Sequence, residues 1–221
     1  MYSAGSPGVN AAMLITLSRF FSTSSLREEG EITCMNQEKI GEEALTLALG
    51  GADDARIRRM SSLLLGRTGD AAAAGPLLAA LRDPDMAVRA EAARALAAIG
   101  SPAVTALIPV LRDPDWRLRY RAAEALGRIG DRRAVGALVR ALSDEKDHVR
   151  YMSARALGLI ADPAAGDALV RVLGDANPPA RKAAAWALGE IGGHEAALLA
   201  ALEGEPSGAV RRAIRDALGQ G

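Results

Sequence analysis

The chain has 221 residues and balances 27 Lys plus Arg against 27 Asp plus Glu, so no global field draws it toward nucleic acid or an anionic membrane. No run approaches the roughly 20 apolar residues that a membrane span needs. The single cysteine, Cys34, excludes an internal disulfide framework and fits a reducing compartment, so a cytoplasmic protein is expected.

Residues 1–37 stand apart as an extension without the pattern that follows. Both phenylalanines, Phe20 and Phe21, are here. Residues 13–27 are free of acids, rich in Ser and carry two Arg, which reads as a mitochondrial transit peptide or as a poor export signal. The preferred reading is translation starting at Met35, with Glu28-Glu29-Gly30-Glu31 encoded by purine-rich codons resembling a ribosome-binding site. All three readings place this segment outside the working fold. Cys34 lacks His or cationic company, so no reactive role is expected of it.

Residues 38–221 are built from six imperfect copies of one unit, over about 39–69, 70–100, 101–130, 131–161, 162–192 and 193–219. An Arg recurs as Arg58, Arg89, Arg119, Arg150, Arg181 and Arg211, and a Leu seven places later as Leu65, Leu96, Leu126, Leu157, Leu188 and Leu218. The period of 30 or 31 residues is that of a stacked repeat array, in which each unit buries its apolar side only against its neighbours.

In the first unit residues 40–49 predict a short helix, Gly50-Gly51 with Asp53-Asp54 a turn, and residues 57–68 an inner helix. Leu64 stands where later units have Ala, as expected of a terminal unit lacking one neighbour. The second to fifth units are the most regular. In the third, Leu118, Ala122, Ala125, Leu126 and Ile129 recur at intervals of three and four, one face of a helix. Asp115 supplies its N-cap and Gly130 its stop. The helix before it, residues 103–111, contains Pro109, which predicts a bend or a shortening. Asp70, Asp131 and Asp162 put an acceptor at the start of the next unit, making tight links. In the sixth unit Arg215 replaces the small residue of the others, as in a C-terminal cap.

The pattern in Asp83-Pro84-Asp85, Val88-Arg89, Ala92-Ala93, Leu126-Gly127 and Ile129-Gly130 resembles the HEAT repeats of the phycobilisome-lyase-like subtype. The resemblance implies an all-α fold, a right-handed α-α superhelix of about six helical hairpins. It also implies that the second helix of each hairpin lines a concave groove.

Catalytic parts are missing: there is no phosphate loop, nucleophile elbow or ligand-spaced Cys, which argues against an enzyme. His194-Glu195 is similar to the iron-binding pairs of HEAT-like deoxyhypusine hydroxylases, but those repeat the pair across units. His148 beside Asp147 reads as a solvated turn residue. No metal site and no cofactor is therefore expected. The six repeated Arg, with Asp83, Asp113, Asp144 and Asp175 each six residues before one of them, read as a structural ladder.

The variable positions carry the functional expectation. The second, fifth and ninth positions after each Arg share a helix face. They hold Met60, Leu63, Arg67; Glu91, Arg94, Ala98; Arg121, Glu124, Arg128; Met152, Arg155, Leu159; and Ala183, Trp186, Glu190, with Tyr120 and Tyr151 adjoining. Tyr120, Tyr151, Met152, Arg155 and Trp186 are residue types that dominate binding hot spots. Trp116 is placed in a turn at the groove edge.

The expected function is a non-catalytic protein-protein interaction scaffold, a monomer holding a peptide or partner protein in the groove. The alternative is a bilin lyase-like subunit that attaches chromophore to an acceptor protein. Nucleic-acid binding, as in HEAT-like alkylpurine glycosylases, is the weakest reading, because Glu91, Glu124 and Glu190 interrupt the basic series Arg67, Arg94, Arg121, Arg128 and Arg155.

Overall fold

A computed structural model of the chain describes residues 31–220, with side chains from Gly41 onward. The readings of residues 1–30, Phe20 and Phe21 included, lie outside the described residues, as does the Cys34 side chain. Among the described residues there are twelve α-helices and no strand, in two compact units divided after Ala95. None of these helices is long and apolar enough to cross a membrane.

The first unit holds α1 (Glu31–Gly51), α2 (Ala55–Thr68), α3 (Ala74–Ala80, after a 3-10 turn at Ala71–Ala73) and the start of α4 (Met86–Ile99). Helix α1 begins well before residue 40, since nothing between Glu31 and Lys39 is Pro or Gly, and it runs through Gly50. Helix α2 starts where the Asp54 carboxylate accepts the Arg56 backbone N–H, and stops at Gly69, whose φ of 68° is left-handed. Ile57 and Met60 are 39% and 54% exposed, whereas Val88 and Glu91, at the same positions of the next inner helix, are buried. Leu64 is half-buried.

The second unit continues with α5 (Ser101–Val110), α6 (Trp116–Ile129), α7 (Val135–Ala141), α8 (Asp147–Ile160), α9 (Gly166–Val172), α10 (Pro178–Ile191), α11 (Glu195–Gly204) and α12 (Gly208–Ala217). The odd helices α5, α7, α9 and α11 each pack on the following even one, and α6, α8, α10 and α12 stack in sequence. Each pair is a helical hairpin. Pro109 neither shortens nor breaks α5: it sits in the last turn, where the Leu111 N–H has already tightened onto the Ile108 carbonyl. The tight links begin as expected, with Asp131 and Asp162 capping short 3-10 turns.

Small residues set the stacking distance. A Cβ built on Gly127 would lie 2.6 Å from the Ala156 Cα, one on Gly158 2.9 Å from the Ala187 Cα, and one on Gly189 2.8 Å from the Ala217 Cβ. The inner helices are thus in near backbone contact through one Gly-Ala column. Leu126, Leu157 and Leu188 fill the space between the layers and are essentially inaccessible, contributing roughly 2 kcal/mol apiece by burial.

Candidate functional site

The repeated arginines are fixed by their own hairpin turns. Arg58, Arg89, Arg119, Arg150, Arg181 and Arg211 each donate Nη1–H to the backbone carbonyls six and five residues earlier, at 2.7–3.4 Å. The other edge of the guanidinium reaches the turn of the next hairpin. Nε and Nη2 of Arg58, Arg119 and Arg150 grip Asp83, Asp144 and Asp175, 25 residues on, at 2.6–3.0 Å. Arg181 grips Glu205 instead, 24 residues on and 2.8 Å away.

Each of these acids also accepts the backbone N–H two residues later, so it caps its own turn while receiving the previous arginine. The Arg150 fork holds the Asp175 carboxyl below its ordinary range against the opposing effect of burial, and Arg181 does the same for Glu205. For Asp83 burial pushes upward, and the Arg58 fork with the Asp85 N–H outweighs it. With both partners at most 18% exposed, the guanidinium forks of these four pairs have no face left for a ligand.

The variable residues of α6, α8 and α10 form a different surface. Tyr120 and Tyr151 occupy the same position of successive inner helices and are half-buried. The Arg121 guanidinium lies 5.4 Å over the Tyr120 ring, and that of Arg155 lies 5.9 Å over the Tyr151 ring. Arg155 also donates Nη1–H to the Tyr151 hydroxyl at 3.3 Å. Burial pushes the Tyr120 hydroxyl above its ordinary pKa, with the Glu124 charge adding to it. Trp186 lies across Gly158, where a Cβ would stand 2.6 Å from its Cζ3. Leu159, 49% exposed, borders the same strip. Tyr120, Tyr151, Arg155 and Trp186 thus share one face of three stacked helices.

Other expected members depart from it. Met152 is buried in the stack and cannot serve as an exposed contact. Its position, two after the Arg, lies at the margin of the stripe where inner helices meet, and Glu91 and Ala183 at the same position are buried as well. Glu124 is tied up: Arg121 donates to it at 2.6 Å and Arg128 at 3.1 Å. Glu91 is held in the same way by Arg94 at 2.6 Å, with Arg59 at 3.5 Å. Glu190 is exposed at the far end of α10.

Two contacts lay beyond the sequence pattern. The Trp116 ring sits 5.2 Å from that of His148, with Arg117 on it at 5.0 Å, and Asn177 Nδ2 donates to Asp147 Oδ2 at 2.6 Å across adjacent turns. The repeat offset of 30 residues between Asp147 and Asn177 was the available signal for the second. His148 Nδ1 is 2.8 Å from Asp147, and His194 Nδ1 is 2.7 Å from the Gly192 carbonyl. Among the described residues no three His, Cys, Asp or Glu side chains are grouped to hold a metal. An open hollow of about 680 Å³ in the first unit is walled by the mutually engaged pair Arg58 and Asp83.

A family model described as HEAT repeats matches residues 42–108, 104–179 and 156–219. Among solved structures, the complex of CpcE and CpcF of phycocyanin lyase from Nostoc sp. PCC7120 is similar to this chain, at 25% identity and a TM-score of 0.62 over 67% of this chain and 99% of that one. Importin beta matches at 20% identity and a TM-score of 0.63, over 84% of this chain and 31% of its own. Computationally designed armadillo repeat proteins for modular peptide recognition match at 21% identity and a TM-score of 0.51, over 80% of this chain and 98% of theirs. The last two likenesses show the fold alone. No curated protein sequence matches.

Proposed function

Because this chain belongs to the HEAT-repeat family, we propose that it is a non-catalytic cytoplasmic scaffold that binds a peptide or partner protein on the exposed face of α6, α8 and α10. One observation carries the reading. Tyr120, Tyr151 and Trp186, with Arg155 stacked on Tyr151, are large side chains left partly open on three consecutive inner helices. In the same repeats the ladder arginines and the Leu column are closed to ligands. Half-open aromatic and Arg side chains on a rigid support are what interface hot spots are made of. The test is affinity capture with the wild-type chain beside the Tyr120→Ala, Tyr151→Ala, Trp186→Ala triple variant. The variant should lose the partners the wild type retains, and identical capture by a still-folded variant would reject the reading.

A second reading, a bilin lyase-like subunit, is favoured by the likeness to the phycocyanin lyase complex. It requires affinity for a linear tetrapyrrole. A shift of visible absorbance on mixing chain and bilin supports it, and an unchanged spectrum removes it.

A further inference from the structure

The strip on α6, α8 and α10 carries a charge pattern that specifies its occupant, an inference resting on the protein-binding reading above. We propose that it takes an acidic peptide segment in polyproline II form, with a carboxylate at every third residue.

The acid on this face is sunk and the cations stand above it. Glu124 is 15% exposed, while Arg128, one of the two arginines sharing it, is 48% exposed. Two guanidinium groups on one carboxylate leave one positive charge on α6. On α8 the exposed Arg155 bonds only the Tyr151 hydroxyl, with no acid beside it among the described residues. On α10 the exposed Lys182 occupies the position that Tyr120 and Tyr151 hold on α6 and α8, also with no acid partner among the described residues. The exposed cations Arg128, Arg155 and Lys182 therefore step back along a diagonal, at the ninth, fifth and first positions after Arg119, Arg150 and Arg181. Each helix also carries a ring: Tyr120 under Arg121, Tyr151 under Arg155, and Trp186 one turn from Lys182. Glu190 lies eight residues beyond Lys182 on α10, about 12 Å along the axis, and so stands off this lane.

Spacing selects the backbone form. Helices in contact through Gly127-Ala156 and Gly158-Ala187 pack near the short end of the usual range, at about 8–9 Å, and the four-residue step between successive cations adds about 6 Å along the axis, so the cations are set roughly 10 Å apart. A β-strand returns side chains to one side every ~6.8 Å, or every ~13.6 Å if one is skipped. A polyproline II segment does so every three residues, about 9.3 Å. Its carboxylates can meet successive cations, and the residues between them can lie on the rings. A nucleic acid matches less well, since a strand of duplex DNA carries a phosphate about every 3.4 Å, two or three for each cation here.

Fluorescence anisotropy on the full chain tests the proposal with labelled twelve-residue peptides: four repeats of Glu-Pro-Leu, four of Lys-Pro-Leu, and a peptide of the first composition with its Glu residues in one block. A labelled twelve-nucleotide DNA strand is the fourth probe. The Glu-Pro-Leu peptide should bind, weaken with added salt, and lose at least tenfold in affinity with Arg155→Glu or with Lys182→Glu. Arg155→Met, which keeps the stem, should lose less. Equal binding of the Lys-Pro-Leu peptide or of the blocked peptide, an unchanged affinity in folded Arg155→Glu, or tighter binding of DNA would overturn it. If the peptides fail while partner capture still depends on Tyr120, Tyr151 and Trp186, this inference falls and the scaffold reading stands. If the capture also fails, both fall.

Discussion

Arg119 Nε lies 2.6 Å from Asp144 Oδ2, with the two side chains 9% and 8% exposed, and this pair ties the turn before α6 to the turn before α8. Removing one partner strands a charge that has little access to water. Asp144→Ala should therefore cost about 3–5 kcal/mol, read as a lowered urea midpoint. Replacing both, Arg119→Met with Asp144→Leu, should recover only part of the loss, because the Asp113 and Pro114 carbonyls and the Lys146 N–H lose their partners as well. The pair Arg56 and Asp54, 92% and 38% exposed, is the control: Asp54→Asn, which retains the cap acceptor, should leave the urea midpoint essentially unchanged.

The same ladder sets the response to acid. Asp175 and Glu205 have folded pKa values below their ordinary ones because of Arg150 and Arg181. A depressed carboxylate contributes stability that is complete above its unfolded pKa, about 4, and is lost as pH falls through the lower folded value. Stability should be level above about pH 5 and decline progressively below pH 4. Asp175→Asn should be less stable at neutral pH and show a shallower decline. A steeper loss in that variant would contradict this assignment.

Gly127 is required by contact. Within a helix Gly→Ala usually gains up to about 1 kcal/mol, but here the obstacle to a Cβ is the Ala156 backbone at 2.6 Å, which cannot swing away. Gly127→Ala should destabilise by roughly 1–3 kcal/mol. Gly75 has nothing within 4 Å of a built Cβ, and Gly75→Ala should leave thermal stability equal or raised.

Ala161 closes α8 with φ 52°, the only non-glycine positive φ among the described residues, where Gly69 and Gly130 close the corresponding helices. A left-handed L-residue costs roughly 1–2 kcal/mol, so Ala161→Gly should raise the melting temperature despite the greater chain entropy of Gly. A lowered melting temperature would show that the strain is already relieved.

The repeat body was legible because its causes are local and recur: Asp115 caps and Gly130 stops α6, and each recurring Leu finds the same layer. The ladder's residues were legible too, but their pairing was less so. A six-residue offset links Arg89, Arg150 and Arg181 to Asp83, Asp144 and Asp175 of their own turns, yet those carboxylates serve the preceding Arg58, Arg119 and Arg150, a choice made only by stacking. Met152 illustrates the limit on the strip. Helical spacing put it with Arg155 and Trp186, but the contact between inner helices buries its position. Glu124 showed the same limit differently, as a charge that sequence counts as interrupting a basic series and folding sinks beneath Arg128. The burial of Met152 depends on a helix about thirty residues away, whereas Glu124 is held by Arg121 and Arg128 of its own helix.

In the proposed scaffold the repeated residues build the body while the odd ones on α6, α8 and α10 meet the partner. Site-specific photocrosslinking tests it most directly, with a benzophenone amino acid replacing Tyr151 on the strip or Thr105, an exposed residue of the outer helix α5. Crosslinked partner from position 151 and none from position 105 is the predicted result. Partner crosslinked from position 105 but not from 151 would contradict the account.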